Sequence, residues 1–224
     1  MYSIIKRIGD LFLALLVTII LLPLFIPLFI ILKLTGEGYI FYRQERIGFK
    51  NKKFDILKFA TMLKDSPNIG TGMITLRKDP RITPAGHFLR KTKLNELPQV
   101  FNVLKGDMSV VGPRPLVSKN FETYPDGIKE HVYDSKPGIT GIGSIIFRDE
   151  EKIISETEMD PHEFYATHIS PFKGALEIWY NRNQSFLTDF KIIFLTAWYI
   201  VFSESNLAYK WFTGLPLKPK ELDV

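Results

Sequence analysis

The chain has 224 residues, of which 46% are hydrophobic, a net charge of +5 and no cysteine. That length suits one domain with an attachment rather than two full domains. The missing cysteines exclude disulfides and thiolate chemistry, and the basic balance points to an anionic partner: nucleic acid, an anionic lipid surface or phosphate-bearing substrates.

From Leu11 to Leu32 there is no charged residue, and Asp10 and Lys33 fence the run. A stretch of this length reads as a membrane segment; a buried core helix is the alternative. It is too long for a signal peptide, and no small-x-small cleavage site follows it. Pro23 and Pro27 lie within it. A proline costs a helix interior about 3 kcal/mol, whereas each Leu, Ile, Phe or Val favours insertion by roughly 0.3–0.6 kcal/mol. The many apolar residues outweigh the prolines, so the segment enters the membrane bent. Lys6 and Arg7 precede the run, and Lys33, Arg43, Arg46, Lys50, Lys52 and Lys53 follow it. The positive-inside rule places both flanks in the cytoplasm. A re-entrant helix that breaks at Pro23 and Pro27 and returns satisfies this; a kinked single pass is the alternative. Residues 1–36 are therefore read as the membrane region and 37–224 as the domain beside it.

Residues 39–43 and 54–59 read as short strands, with a polar, glycine-containing stretch between them that suits a β-hairpin. Thr83-Pro84 opens a short basic helix through Arg90 and Lys91, with a capping hydroxyl followed by proline in the first turn. A second helix is predicted to begin near Asn95, with Leu94, Leu97, Phe101 and Leu104 as its apolar face and Lys105-Gly106-Asp107 as its end. A short apolar run, Val110-Val111, leads into the rigid loop Gly112-Pro113-Arg114-Pro115. Residues 135–143 read as loop. Residues 147–160 are acidic and read as a solvated face. Residues 192–202 form an apolar helix, either in the core or at the membrane surface, and Trp211 and Phe212 read as interfacial anchors. The fold class is α+β, mostly helical: a re-entrant membrane helix plus a compact domain with a small β-hairpin and amphipathic surface helices.

The basic residues Lys58, Arg90, Lys91, Lys93 and Arg114 fall near predicted turns, and a helix start near Asn95 adds backbone donors. Arginine offers a planar fork for phosphate. The competing reading is a solvated basic face with Arg114 in a structural salt bridge. Glu96, in the first helical turn, either complements the helix dipole or serves as a magnesium ligand or base. His87, His131, His162 and His168 show no metal-ligand spacing. SKPGITGIG is a weak dinucleotide fingerprint. No motif supports nucleic-acid recognition. A homodimer, the commonest closed assembly, stays open.

Three stretches, FYRQERIGFKNKKFDILKF, LRKTKLNELPQVFNVLKGDMSVVGPRP and KPGITG, resemble the bacterial sugar transferases, the monotopic polyprenyl-phosphate phosphoglycosyl transferases. The resemblance covers nearly the whole chain, including the proline-bearing membrane helix. It implies a catalytic domain on the cytoplasmic face of the bacterial inner membrane. It further implies transfer of a phosphosugar from a UDP-sugar to polyprenyl (undecaprenyl) phosphate with release of UMP, and Mg²⁺ as cofactor. By position, Glu96 matches the glutamate of the family's catalytic Asp-Glu pair, and Lys58, Arg90 and Arg114 match its phosphate-binding basic residues. The family's nucleophilic aspartate falls on Asn95, a neutral amide. Further departures are Ala60 for an arginine, Leu22 for the serine before the break-point proline, and IGSIIFRDEE after GITG.

Four readings of Asn95 follow. Glu96 is itself the nucleophile, with Asn95 orienting it; a carboxylate from Asp149, Glu150 or Glu151 is brought in; transfer is direct, with Glu96 and Mg²⁺ activating the lipid phosphate; or the chain is an inactive lipid-phosphate binder or scaffold, and Asn95 is a helix N-cap. Retained activity with Glu96 essential is favoured, because Glu96, Arg90, Arg114 and the membrane helix are all present.

Overall fold

The computed structural model describes residues 2–70, 75, 79–202 and 206–222. Its first element, α1 (Tyr2–Leu34), is one helix that runs through both prolines. The predicted break is therefore absent as a break in helical conformation. Both prolines are exposed, and their i,i+4 spacing stacks them on one side, where each ring crowds the carbonyl four residues earlier. That crowding opens the helix on its outer side and favours a bend toward the domain. A stripe on the other side docks: Asp10, Ala14, Phe25, Leu28 and Leu32 are buried, while Ile4, Ile8, Phe12, Ile19, Leu22, Ile26 and Leu34 are exposed. Both ends of α1 meet the same domain. Arg7 donates to the carbonyls of Val103 and Leu104, Asp10 accepts from the Val110 amide, and Phe25, Leu28 and Leu32 pack with Phe59 and Leu89.

The hairpin is confirmed as β1 (Phe41–Ile47) paired antiparallel with β2 (Lys53–Phe59), Tyr42 opposite Lys58 and Phe41 opposite Phe59. The first strand starts later than the sequence suggested. Helix α2 (Pro84–Lys91) begins as expected, with the Thr83 hydroxyl accepting from the Gly86 amide. The next helix does not begin at Asn95. A 3₁₀ turn covers Leu94–Glu96, and α3 (Gln99–Lys105) starts only after Pro98 and ends at Gly106 with φ 101°. Its buried side is Gln99, Val100, Asn102 and Val103. The predicted face instead leans toward α1: Leu94 and Leu97 pack with the Phe25 cluster, and Phe101, 41% exposed, has its ring 6.3 Å from that of Phe25.

Strand β3 (Ser109–Val111) pairs in parallel with β4 (Gly138–Thr140), which lies inside the stretch read as loop. Three glycines permit this close pairing: a Cβ on Gly112 would lie 2.2 Å from the Lys136 carbonyl oxygen, and Cβ atoms on Gly138 and Gly141 would collide with Gly112. Between the two strands are the short helices α4 (Ser118–Phe121) and α5 (Asp126–Lys129). A helix the sequence did not suggest, α6 (Ile142–Ile146), follows β4, and the acidic stretch forms α7 (Glu150–Glu156). Helix α8 (Pro161–Phe164) runs through a wide π turn, Tyr165–Ile169, into α9 (Ser170–Arg182). Pro171, which has no amide to donate backward, accounts for the loosened turn before it. Helix α10 (Phe186–Val201) combines both readings given to it: Ile192, Leu195 and Tyr199 enter the core, while Phe186, Leu187, Phe190 and Val201 are exposed. Helix α11 (Leu207–Trp211) follows, and after it comes a 3₁₀ turn, Lys220–Leu222. Phe212 is not a surface anchor; it is 5% exposed and packs edge-on to Trp179. The architecture is α+β and mostly helical, as read from the sequence.

Candidate active site

The alternation of β2 places an anchor contact and a polar site back to back. Phe59 meets the rings of Phe25 and Phe29 of α1 at 5.9 and 6.1 Å. Lys58, its neighbour on the opposite face, lies within the strand, and its Nζ is 3.6 Å from Glu96 Oε1. The 93–98 segment works the same way. Lys93 takes a left-handed conformation, φ 61°, and ends α2. The tight turn that follows sends Leu94 and Leu97 to α1 and leaves Glu96 with the cations.

Arg114 Nη2 donates to Glu96 Oε1 at 3.0 Å. Its backbone is fixed from both sides: the amide donates to Glu177 Oε1 at 3.2 Å, and the carbonyl accepts from the Tyr133 hydroxyl at 2.9 Å. Arg46, on the same face of the hairpin as Lys58, donates to the Pro115 carbonyl. A small cavity between these elements is lined by Arg46, Ile56, Lys58, Gln99 and Arg114.

Burial by itself would raise the Glu96 carboxyl, but Arg114, Lys58 and Lys93 together hold it well below the usual carboxylate range. Glu96 in return raises Arg114. Burial lowers Lys58 to about 7 against the pull of Glu96, lowers Arg46 to about 10, and lowers Lys93. The result is a partly enclosed group of cations around a single ionised carboxylate, a surface suited to phosphate.

The expected residues thus divide. Lys58, Glu96 and Arg114 come together. Arg90 pairs with Glu151 of α7, so the acidic stretch is not simply a solvated face. Glu150 likewise reaches inward, to Lys173 at 2.6 Å. Asn95 is buried at 6% exposure, and its Oδ1 has no hydrogen-bond partner. It is not an N-cap: α3 is preceded by Pro98, with no side-chain cap. Sequence reasoning missed the role of Arg46, which it counted only as a flanking charge, although β alternation with Lys58 could have placed it. It also missed Lys173 and Glu177. Burial pushes Glu177 up to about 7. Burial opposes the charge on Lys173, but Glu150 raises it.

Glu96 is a poor fit for a protein-held Mg²⁺. Its one carboxylate already faces Arg114 and Lys58, and no group of three or more His, Cys, Asp or Glu converges among the described residues.

A carboxylate ringed by cations, whose chain neighbours Phe59 and Leu97 pack against a helix long and apolar enough to cross a membrane, is the pattern of a phosphate-handling protein at a membrane face. The particular family follows from comparison: residues 1–203 match the model for bacterial sugar transferases. The chain is 36% identical over 205 residues to the exopolysaccharide production protein ExoY of Sinorhizobium fredii, covering 85% of this chain and 83% of that protein. It is 34% identical over 207 residues to the undecaprenyl-phosphate galactose phosphotransferase of Salmonella typhimurium, covering 86% of this chain but 39% of that protein. The same identity, over 195 residues with 86% and 39% covered, holds for the UDP-glucose:undecaprenyl-phosphate glucose-1-phosphate transferase of Escherichia coli. The chain belongs to the bacterial sugar transferase family and is an enzyme of that class.

Proposed function

We propose that the chain transfers a sugar phosphate from a UDP-sugar to undecaprenyl phosphate, releasing UMP, at the cytoplasmic face of the bacterial inner membrane. The observation that carries this is the juxtaposition of Lys58, Glu96 and Arg114 with the α1 contact at Phe59. A lipid phosphate whose tail lies along α1 would present its headgroup to those cations. The names of two relatives, which specify undecaprenyl phosphate and a sugar phosphate, support the same reaction. Docking of both ends of α1 on one domain supports a re-entrant rather than a crossing path, since Lys6 and Arg7 then stay on the side of the domain. Lys58, Arg114, Arg46 and Lys93 bind the phosphates, and Arg90 joins them when Glu151 yields. Glu96 keeps Lys58 and Arg114 in register. Magnesium enters this proposal as an ion carried on the donor's diphosphate.

The test is UMP release from nanodisc-held protein given Mg²⁺, undecaprenyl phosphate and a panel of UDP-sugars. Release that needs both the lipid and one particular sugar is expected. Release of UDP instead, or none across the panel beside a working control enzyme, would overturn the proposal; the second result would favour the lipid-binding scaffold.

A further inference from the structure

We infer that Glu177 is a positioning residue for the transfer: through the Arg114 amide it fixes where the Arg114 guanidinium meets the reacting phosphates. The inference rests on the function proposed above and gives that reaction a residue behind the site. Pro113 and Pro115 have no amide to donate, so residues 112–116 offer three. Gly112 donates to the Thr140 carbonyl at 3.0 Å, and Leu116 to the Tyr133 hydroxyl at 2.9 Å. Burial holds that hydroxyl well above its ordinary range, so both acceptors stay neutral. The third amide, that of Arg114, goes to a carboxylate, Glu177 Oε1 at 3.2 Å.

Nothing else around Glu177 accounts for a buried acid there. It is 1% exposed, the bond from Arg114 is its one hydrogen bond among the described residues, and its Oε2 has no partner. Lys173, one turn earlier on α9, is already 2.6 Å from Glu150. The fold also makes room for the acid: a Cβ on Gly143 would lie 2.3 Å from Glu177 Oε1. A buried polar group with an unpartnered oxygen destabilises the fold, and an apolar side chain would fill the same space without doing so. What the carboxylate adds is a charge-assisted bond, about twice as strong as a neutral one, at the loop residue whose side chain reaches Glu96. The attraction of a guanidinium for a diphosphate is long-ranged and tolerates a small displacement. The orientation that the transition state needs does not, and a shift of about 1 Å can cost about a hundredfold. The loss on removing Glu177 therefore falls on kcat rather than on KM.

The cations facing Glu177 are Lys173 on α9 and Arg114 on the loop, with the Tyr124 and Tyr133 hydroxyls within its field. Burial lifts its carboxyl to about 7 against both cations, so the bond to Arg114 strengthens as pH rises through that value. The experiment reads UMP release by the full chain in nanodiscs with Mg²⁺, undecaprenyl phosphate and the UDP-sugar identified above. Glu177→Met, which removes the acceptor, should lower kcat about a hundredfold and leave the KM for the UDP-sugar within about threefold. Glu177→Gln keeps an acceptor oxygen without the charge. It should match the wild-type kcat at about pH 6 and fall about fivefold below it at about pH 8.5. The ratio of the two cancels the ionisation of Lys58 and of the acceptor phosphate, and it decides alone if Glu177→Met does not fold. A raised KM with unchanged kcat in Glu177→Met, or a wild-type to Glu177→Gln ratio indifferent to pH, would overturn the inference while leaving the proposed function standing. A wild-type chain that releases no UMP would overturn the function, and this inference with it.

Discussion

Two charged regions meet at Arg114 and differ in one respect that explains both. In front, Lys58, Glu96 and Arg114 have side chains 16%, 15% and 32% exposed, with Arg46 and Lys93 close by, so cations outnumber carboxylates. Behind, Lys173 is 2% exposed and matched to Glu150, its ammonium lying over the rings of Phe147 and Tyr165, while Glu177 is closed in by Gly143. The rear pairs its buried lysine with a carboxylate, as a buried charge must be paired to avoid a large desolvation cost. The front is unbalanced and partly open, which is tolerable only where an anion arrives to complete it. The contrast separates what holds the Arg114 loop from what the loop is for.

The largest effect is expected behind. Lys173→Met leaves Glu150 unpaired and removes the cation between two rings, and should cost about 3 kcal/mol of stability, read as a lowered thermal midpoint in nanodiscs. An unchanged midpoint would erase the distinction between the regions. In front, Glu96→Gln should lose at least about a hundredfold in turnover, the scale of a positioned electrostatic group; near-wild-type turnover would remove Glu96 from the site. A smaller effect concerns pH. Lys58 loses its charge as pH rises through about 7, so the KM for the anionic donor should climb about tenfold between about pH 6 and 8.5, and Lys58→Arg should flatten that rise. Between about 7 and 10.5 the unfolded chain binds more protons at this lysine than the folded one, so its contribution to stability increases with pH there. A KM indifferent to pH would mean that Lys58 does not face the donor. The smallest effect joins the rear to the anchor. Asp189 accepts from Tyr2, Lys6 and Tyr180, and Asp189→Asn should cost about 1 kcal/mol and expose the start of α1 to proteolysis.

Much of this was legible in the sequence. The apolar run, the hairpin and the Thr83-Pro84 start each rest on local chemistry that neighbours rarely override. The grouping of Lys58, Glu96 and Arg114 was legible by resemblance to a family. The boundaries that moved did so for tertiary reasons. The helix expected from Asn95 became a 3₁₀ turn and then a helix after Pro98 because the chain there has to serve α1 with Leu94 and Leu97 and the site with Glu96. Residues 138–140 read as loop because Gly138 and the adjoining Gly141 carry no strand propensity; they form β4 because only glycine at those two positions admits the backbone of Gly112 so closely. Phe212 looked like an anchor until Trp179 covered it.

The sequence by itself determined that an apolar helix of membrane length precedes a small basic α+β domain, and that an amide stands where the family places a carboxylate. The first is a property of composition, period and spacing; the second is what the resemblance to the family implies. Only the tertiary structure decided that both ends of the helix dock on the same domain, that Arg90 is taken by Glu151, that Arg46 joins the cations, and that the Asn95 oxygen is buried without a partner. These depend on which distant residues share a site, and charge pairing across a fold is set by packing, which no local pattern records.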